Sequence, residues 1–524
     1  MKFFLTALLL TALLVNNALS AESLEPVESG ESRKESVSGM NELINTGLED
    51  IYNLKFEEAK KIFKRVQTEY PKNIEGYFFE SLIYFHSAAA SRDEAQYEKF
   101  MDVSSDVIIR CEDMLDENEN DLDALYYKGQ SHSYRSLLML ALNKSLISAA
   151  SNGNSGYRLL SEVIERNPSY YDAYMGLGLY RIAIEFVPDK FQWLLSIIGF
   201  EGNLKEGIRM LETAVNRGRF TQVDAKVYLS IFSIKESEEE NGETKAMLRS
   251  LTERYPESPF FSLIYASALQ QTGEMDESIR YTEKALALNK HSLQNEIKKG
   301  AFIVLGNAYF RKNDFPKAIA NFEEHLKYVT PEDRYNISLF HLGIAYEMIG
   351  QREKALENYR KTRTEFIEER DGEAEKIFHR YARQLTEKPF NEYDSLLITG
   401  MNLCAVNKPD DALKIYSLLL TSPEYSQKYK SDDEKIRLYM HTGNAYTVKK
   451  DDDLAIDYFT RCTNLDPEKE KWLIPHAYFE LGKIYNRKGD RAKANEMFDM
   501  VYDFSDYDFK NFLEMRVQSY RAKM

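Results

Sequence analysis

The chain is 524 residues long, 43% hydrophobic, and carries a formal net charge of −16. That length and apolar content allow a large buried core. The excess of Asp and Glu over Lys and Arg, 84 against 68, excludes an extended basic surface for nucleic acid and disfavours docking on anionic membranes.

The N-terminus reads as a targeting segment. Lys2 precedes an apolar run from Phe3 to Val15, followed by Asn16, Asn17 and Ala18-Leu19-Ser20-Ala21. A basic start, a short apolar run and small residues at a cleavage point predict a cleaved signal peptide over residues 1–20. The run is shorter than the roughly 20 residues a spanning helix needs. The mature chain is therefore expected to be exported, periplasmic or secreted and outer-envelope associated, with no transmembrane segment and peripheral membrane association left open. Residues 21–39, rich in Glu and Ser and without aromatics, predict a disordered acidic leader. Cys111, Cys404 and Cys462 are widely spaced and odd in number, which favours buried apolar roles over disulfides.

The rest of the chain shows helical periodicity and an internal repeat. Gly306 leads to Ala318 and Phe322, Gly343 to Ala355 and Tyr359, Gly400 to Ala412 and Tyr416. Gly443 leads to Ala455 and Phe459, and Gly482 to Ala494 and Phe498. The glycine-to-alanine step is always 12 residues and the alanine-to-aromatic step 4. Two small residues let a first helix, A, approach a second, B, closely. The aromatic one turn further on fills the gap they leave. Tyr309, Tyr346, Tyr446 and Tyr485 extend the seam, and Pro467 can end a helix B.

This spacing resembles the tetratricopeptide repeat, most closely in YFELGKIYNRKGDRAKANEMF. Gly47, Ala59, Phe63 and Pro71 keep the same offsets, Gly156, Leu160 and Pro168 keep helix B, and Met275 to Ala285 is a weaker copy. The resemblance implies an all-α, right-handed α-solenoid of roughly ten helical hairpins. Degenerate repeats would occupy residues 40–298 and regular repeats 299–502. Inserted helices are expected around 85–120, 186–202 and 365–392, a bend near 298, and a capping helix over 503–524.

A narrower resemblance lies in residues 174–214. The apolar stretch FVPDKFQWLLSIIGFEG follows the glycine-rich Gly176-Leu177-Gly178 and leads through Gly199-Phe200-x-Gly202 to Gly207 and Leu211. This is similar to the family of tetratricopeptide repeat protein 39 and the fungal inclusion-body clearance protein. Here Asn203-Leu204 replaces that family's acidic–basic pair. The resemblance implies proteins without known catalysis, some of them membrane-associated. An export signal does not match their intracellular setting, so their role is not carried over. The island is too short to cross a bilayer and has few flanking basic residues, so it is expected to pack into the solenoid.

No enzymatic motif is present: no Gly-x-Ser-x-Gly, no Gly-Lys-Ser/Thr loop and no His-Glu-x-x-His. Asp116, Asn118 and Asn120 imitate the start of a calcium loop, but Asp121 and Tyr127 occupy the positions that need Gly and Glu. An inter-helix turn is expected there, and turns also at Glu238–Glu240 and Asp451–Asp453. Nothing points to a metal or a cofactor, and the chain is read as a non-enzyme.

The resemblance implies a concave groove that takes extended peptides through helix A positions 2, 5, 9, 12 and 13. Position 5 reads Ile303, Phe340, Leu397, Met440 and Phe479, suited to an apolar or amphipathic segment. Position 9 reads Asn307, Ile344, Met401, Asn444 and Lys483, and Arg311 and Arg487 stand at position 13. Asn307 and Asn444 occupy places where related repeats bond a peptide backbone. The candidate binding set is Ile303, Asn307, Arg311, Phe340, Met440, Asn444, Phe479, Lys483 and Arg487. The same side chains could instead pack between neighbouring helices. The function expected is an exported scaffold binding a protein or peptide partner in its groove, with a glycan- or small-ligand-binding envelope protein as the alternative.

Overall fold

A computed structural model describes residues 31–185, 203–233, 238–330, 333, 335–364, 373–388 and 390–524. The expected signal peptide and the apolar island of 186–202 lie outside the described residues, as does residue 365–372 of the third expected insertion. Among the described residues the chain is helical throughout, with no strand. It forms an all-α solenoid in two units. The first ends at Ala268 and includes Arg280–Ala301; the second comprises Leu269–Ile279 and Phe302–Met524.

The first unit opens with α1 (Glu31–Tyr52), α2 (Phe56–Glu69), α3 (Glu75–Ser91), α4 (Glu94–Glu117), α5 (Leu122–Ala141) and α6 (Leu146–Arg166). It continues with α7 (Ala173–Glu185), α8 (Leu204–Arg217), α9 (Gln222–Ser233) and α10 (Glu238–Arg254). Each of these helices packs on the next. The chain then runs through α11 (Pro259–Gln271), α12 (Met275–Leu288) and α13 (Gln294–Arg311), which carry it from one unit to the other.

Two expectations are corrected here. The disordered leader does not extend to residue 39, because residues 31–39 are helical, within α1. Glu, Arg and Lys are good helix formers, and the helix is anchored by buried Met40, Ile44, Leu48 and Ile51. The acidic runs are not turns: Glu238–Glu240 are helical, within α10, and Asp451 caps a later helix, with Asp452 and Asp453 in its first turn, by accepting from Leu454 N. Negative charge is stabilised at that end of the helix dipole. The calcium-loop mimic is an inter-helix turn, with Asp121 capping α5.

The first unit closes on itself. Ser258 Oγ donates to the carbonyl of Tyr52 at 2.7 Å, and Ser292 N to that of Leu54 at 2.9 Å. Tyr52 meets Tyr255 edge-on with ring centroids 5.3 Å apart, and Lys55 pairs with Glu257 at 3.1 Å.

The second unit continues with α14 (Phe315–His325), α15 (Asn336–Met348), α16 (Arg352–Thr364), α17 (Glu373–Glu387), α18 (Glu392–Ala405) and α19 (Pro409–Thr421). It ends with α20 (Pro423–Lys428), α21 (Asp432–Val448), α22 (Asp452–Thr463), α23 (Leu473–Arg487), α24 (Arg491–Tyr502) and α25 (Lys510–Lys523). The glycine rule explains the hairpins. A Cβ built on the helix A glycine would lie 2.6 Å from Phe63 at Gly47, 2.6 Å from Phe322 at Gly306 and 2.5 Å from Tyr359 at Gly343. At Gly400 the nearest atom is 2.5 Å away on Tyr416 and at Gly443 2.7 Å away on Phe459; Gly482 meets Phe498 in the same way. All six aromatics, and the alanine one turn before each, are fully buried. The last hairpin is closed by α25, whose Leu513 and Val517 are buried against Phe479 and Phe498.

A second regularity was not anticipated from the sequence. Seven residues after each glycine the backbone turns left-handed: Leu54, Asn313, Gly350, Asn407, Lys450 and Gly489 all have positive φ. This residue ends helix A and aims the chain back into helix B.

Candidate segment-binding face

At about 100° per residue, helix A positions fall into distinct faces relative to the glycine that meets helix B. Position 5 lies about 60° from the glycine, whereas positions 2, 6, 9 and 13 lie roughly 100–160° away and turn from helix B. This geometry corrects the position 5 expectation. Phe340, Met440 and Phe479 are 8%, 5% and 0% exposed, and Leu397 is 3% exposed. Phe340 is tilted against Phe378 and stacked on Tyr381 of α17, Met440 lies in the core between α21 and its neighbours, and Phe479 lies under α25. Only Ile303 of the series is half-buried.

Position 9 is more open. Asn307, Asn444 and Lys483 are half-buried, Met401 is 39% exposed, and Ile344 is buried. Asn444 and Lys483 stand on α21 and α23, which pack together, while Asn307 stands on α13, three helix pairs earlier. At position 13 the two arginines differ. Arg311 is structural: its Nη1 donates to the carbonyl of Gln270 at 2.9 Å, and burial holds its pKa below the usual arginine range. Arg487 is exposed and pairs with Asp452.

The turned-away face of α18, α21 and α23 carries charge that the sequence reading did not single out. Asp394 and Arg437, both at position 2, lie 3.5 Å apart. Burial raises the Asp394 pKa, against the pull of Arg437. Glu480 pairs with Lys483 at 2.8 Å. Burial opposes its charge, but Lys483, Arg516 and His476 outweigh this and hold its carboxyl below the ordinary range. His441 and His476 are pushed down to about 4 by burial, assisted by Arg437 and Arg516 respectively. The signal for this ladder was available in the sequence, since Asp394, Arg437 and His476 each precede their repeat's glycine by six residues.

Near this face stands Glu470, only 3% exposed. It accepts from Tyr381 Oη of α17 at 2.7 Å and from Trp472 Nε1 at 2.9 Å. Arg380 of α17 donates to the carbonyl of Lys469 at 3.0 Å and pairs with Asp508 at 2.7 Å. The inserted helix therefore reaches the A-helix starts of the last repeats. Among the described residues no group of His, Cys, Asp and Glu is placed to hold a metal ion, and no helix is long and apolar enough to cross a membrane. Burial pushes the thiols of Cys111 and Cys462 up to about 12 and that of Cys404 to about 11, so they remain protonated.

In the first unit, α7 and α8 flank the apolar island. A Cβ on Gly178 would lie 2.7 Å from the carbonyl of Gly207, and one on Gly207 would lie 2.8 Å from that of Gly178. The two glycines thus permit backbone-to-backbone contact. Asn203, at the point of departure from the family pattern, caps α8 by accepting from Glu206 N.

Residues 172–383 match the family described as Iml2/Tetratricopeptide repeat protein 39, and residues 436–469 match a tetratricopeptide repeat. The chain is built of tetratricopeptide-type repeats, and its residues 172–383 are similar to the tetratricopeptide repeat protein 39 family. The first match covers less than half of the chain and includes the α7–α8 glycine contact. Tetratricopeptide repeats make this chain a helical-repeat scaffold for protein interaction, and neither match indicates a catalytic family. No curated protein matches it significantly.

Among solved structures, YrrB, described as a tetratricopeptide repeat protein with an unusual peptide-binding site, is similar at 18% identity. The match covers 44% of this chain and 96% of that one, with a TM-score of 0.20. The human IFIT1 dimer with m7Gppp-AAAA is 15% identical over 96% of this chain and 94% of that one, with a TM-score of 0.28. The APC/C hetero-tetramer Cut9–Hcn1 is 12% identical over 93% and 99%, with a TM-score of 0.24.

Proposed function

We propose that this tetratricopeptide-repeat chain is an exported, non-enzymatic scaffold of the cell envelope that holds a segment of a partner protein along the helix A face of its second unit. The observation that carries the binding role is position 9. There, polar Asn307, Asn444 and Lys483 and exposed Met401 remain partly open, with Ile344 alone buried, while position 5 is buried everywhere but at Ile303. Amides can bond a peptide backbone, and the methionine offers an adaptable apolar contact. The export assignment rests on the signal-peptide pattern of residues 1–20.

Two measurements test the reading. Mass spectrometry of the mature protein is expected to find a chain beginning near Ala21, and an intact N-terminus would refute export. Affinity capture is to be run with the native chain beside a variant carrying Asn307→Ala, Asn444→Ala and Lys483→Ala. A partner held by the native chain and released by the variant supports binding through this row. Equal retention by both refutes it.

A further inference from the structure

Helix α17 belongs to no glycine–alanine–aromatic pair, yet it is built into the second unit. Its apolar residues, Ile377, Phe378, Tyr381, Ala382 and Leu385, fall at i, i+1, i+4, i+5 and i+8, the stripe of an amphipathic helix. Ala382 is fully buried and Ile377 is 5% exposed. Phe378 rests on Phe340 of α15 with ring centroids 5.2 Å apart, so the stripe covers a position 5 side chain. A polar clamp engages the same helix at its edge. Arg380 pairs with Asp508 at 2.7 Å, and the Tyr381 hydroxyl donates to buried Glu470 at 2.7 Å. An apolar stripe laid on an apolar surface and fixed by charge at its rim is the geometry of helix-in-groove recognition.

We infer that α17 is an internal stand-in for a helical partner of the second unit. This goes beyond the position 9 reading of the preceding section, because α17 covers a position 5 side chain and not the position 9 row. The partner is an amphipathic helix that carries an aliphatic–aromatic pair, an Arg-Tyr step two and three residues after the aromatic, and a leucine one turn beyond. It takes the place of α17 against Phe340, and its arginine and tyrosine meet Asp508 and Glu470. The tethered copy lowers the apparent affinity for such a helix, because it competes at the high local concentration of an intramolecular ligand.

The test uses the full chain and a fluorescein-labelled peptide of residues 373–388. Replacing Phe378→Ser and Tyr381→Ser in the chain breaks its own stripe. This variant is expected to bind the peptide at least about tenfold more tightly than the native chain does. A peptide bearing Arg380→Ala is expected to bind the variant about tenfold more weakly than the unaltered peptide. A variant that keeps its helicity and cooperative melting but binds no peptide overturns the inference.

If the variant unfolds, hydrogen exchange of the native chain decides. The amides of α17 are expected to exchange at least about tenfold faster than those of α15 and α21, because a displaceable helix opens separately. Exchange at the rate of α15 refutes the stand-in role. Either failure leaves the position 9 reading standing, since the triple-alanine variant tests that row by itself.

Discussion

Replacing Gly443 with alanine should destabilise the second unit, although alanine is the better helix former. The new Cβ would lie 2.7, 2.9 and 3.0 Å from three carbons of the Phe459 ring, whereas carbon–carbon contacts are comfortable at about 3.5–4.0 Å. Phe459 is fully buried among Ile436, Met440, Ala455, Cys462, Leu473 and Ala477, so the ring has no free direction in which to retreat. Overpacking of this kind costs about 1–3 kcal/mol, and the gain in helix propensity returns about 0.5–1 kcal/mol. At the midpoints of these ranges the net loss is about 1 kcal/mol. It is measured as a lower melting temperature for the transition of the second unit, by roughly 2–4 °C per kcal/mol.

The control is Gly242→Ala in α10, where nothing lies within 4 Å of the added carbon. The same chemical change should there stabilise by about 0.5–1 kcal/mol. Trimming the ring with Phe459→Leu in the Gly443→Ala background should recover part of the loss, which a double-mutant cycle reads as a coupling of about 1 kcal/mol. If Gly443→Ala were neutral or stabilising, as at Gly242, the close-approach account of all six hairpins would be wrong.

Lys450→Gly should stabilise by up to about 1 kcal/mol, because Lys450 holds a φ of 63° that costs a side-chain-bearing residue more than glycine; an unchanged melting temperature would argue against it. His341, His441 and His476 have folded-state pKa values of about 4, below the ordinary histidine value near 6.5. The unfolded chain thus binds more protons below that pH, so stability is fully present above about 6.5 and lost as pH falls through 4. His441→Gln should flatten the fall in urea-unfolding free energy between pH 6.5 and 4, and an unaltered slope would show that the buried imidazole is not responsible. At pH 8 a thiol reagent should leave Cys111 and Cys462 unmodified in the native chain and label all three cysteines after denaturation; rapid native labelling of either buried thiol would contradict the fold around it.

The hairpin core was legible because it rests on small residues at fixed spacing. Gly47 and Phe63, nearly 250 residues from the regular array, obey the same contact as Gly443 and Phe459. The left-handed turn seven residues on was equally regular in backbone, but it was hidden by its side chains: Leu54, Asn313, Gly350, Asn407, Lys450 and Gly489 share a conformation without sharing a chemistry. The binding face was legible only in part. A pattern of apolar residues at position 5 fits an open groove and a buried seam equally well, and Phe340, Met440 and Phe479 are settled by what packs over them. For Phe340 that cover is α17, a helix outside the repeat register. The charge between Asp394 and Arg437 also depends on which helix starts are brought side by side.

The contact of Ser258 with Tyr52 joins residues 206 positions apart, and it bears on how the chain is made. An open solenoid can consolidate behind the ribosome one repeat at a time, each new hairpin settling on the last. The first unit cannot finish in that way. At synthesis rates of about 5–20 residues per second, the α1–α2 turn waits roughly 10–40 s before the residues that close over it are made. During that interval Tyr52 and its neighbours remain uncovered, so the opening hairpin is the part of the nascent chain with most need of a holding partner.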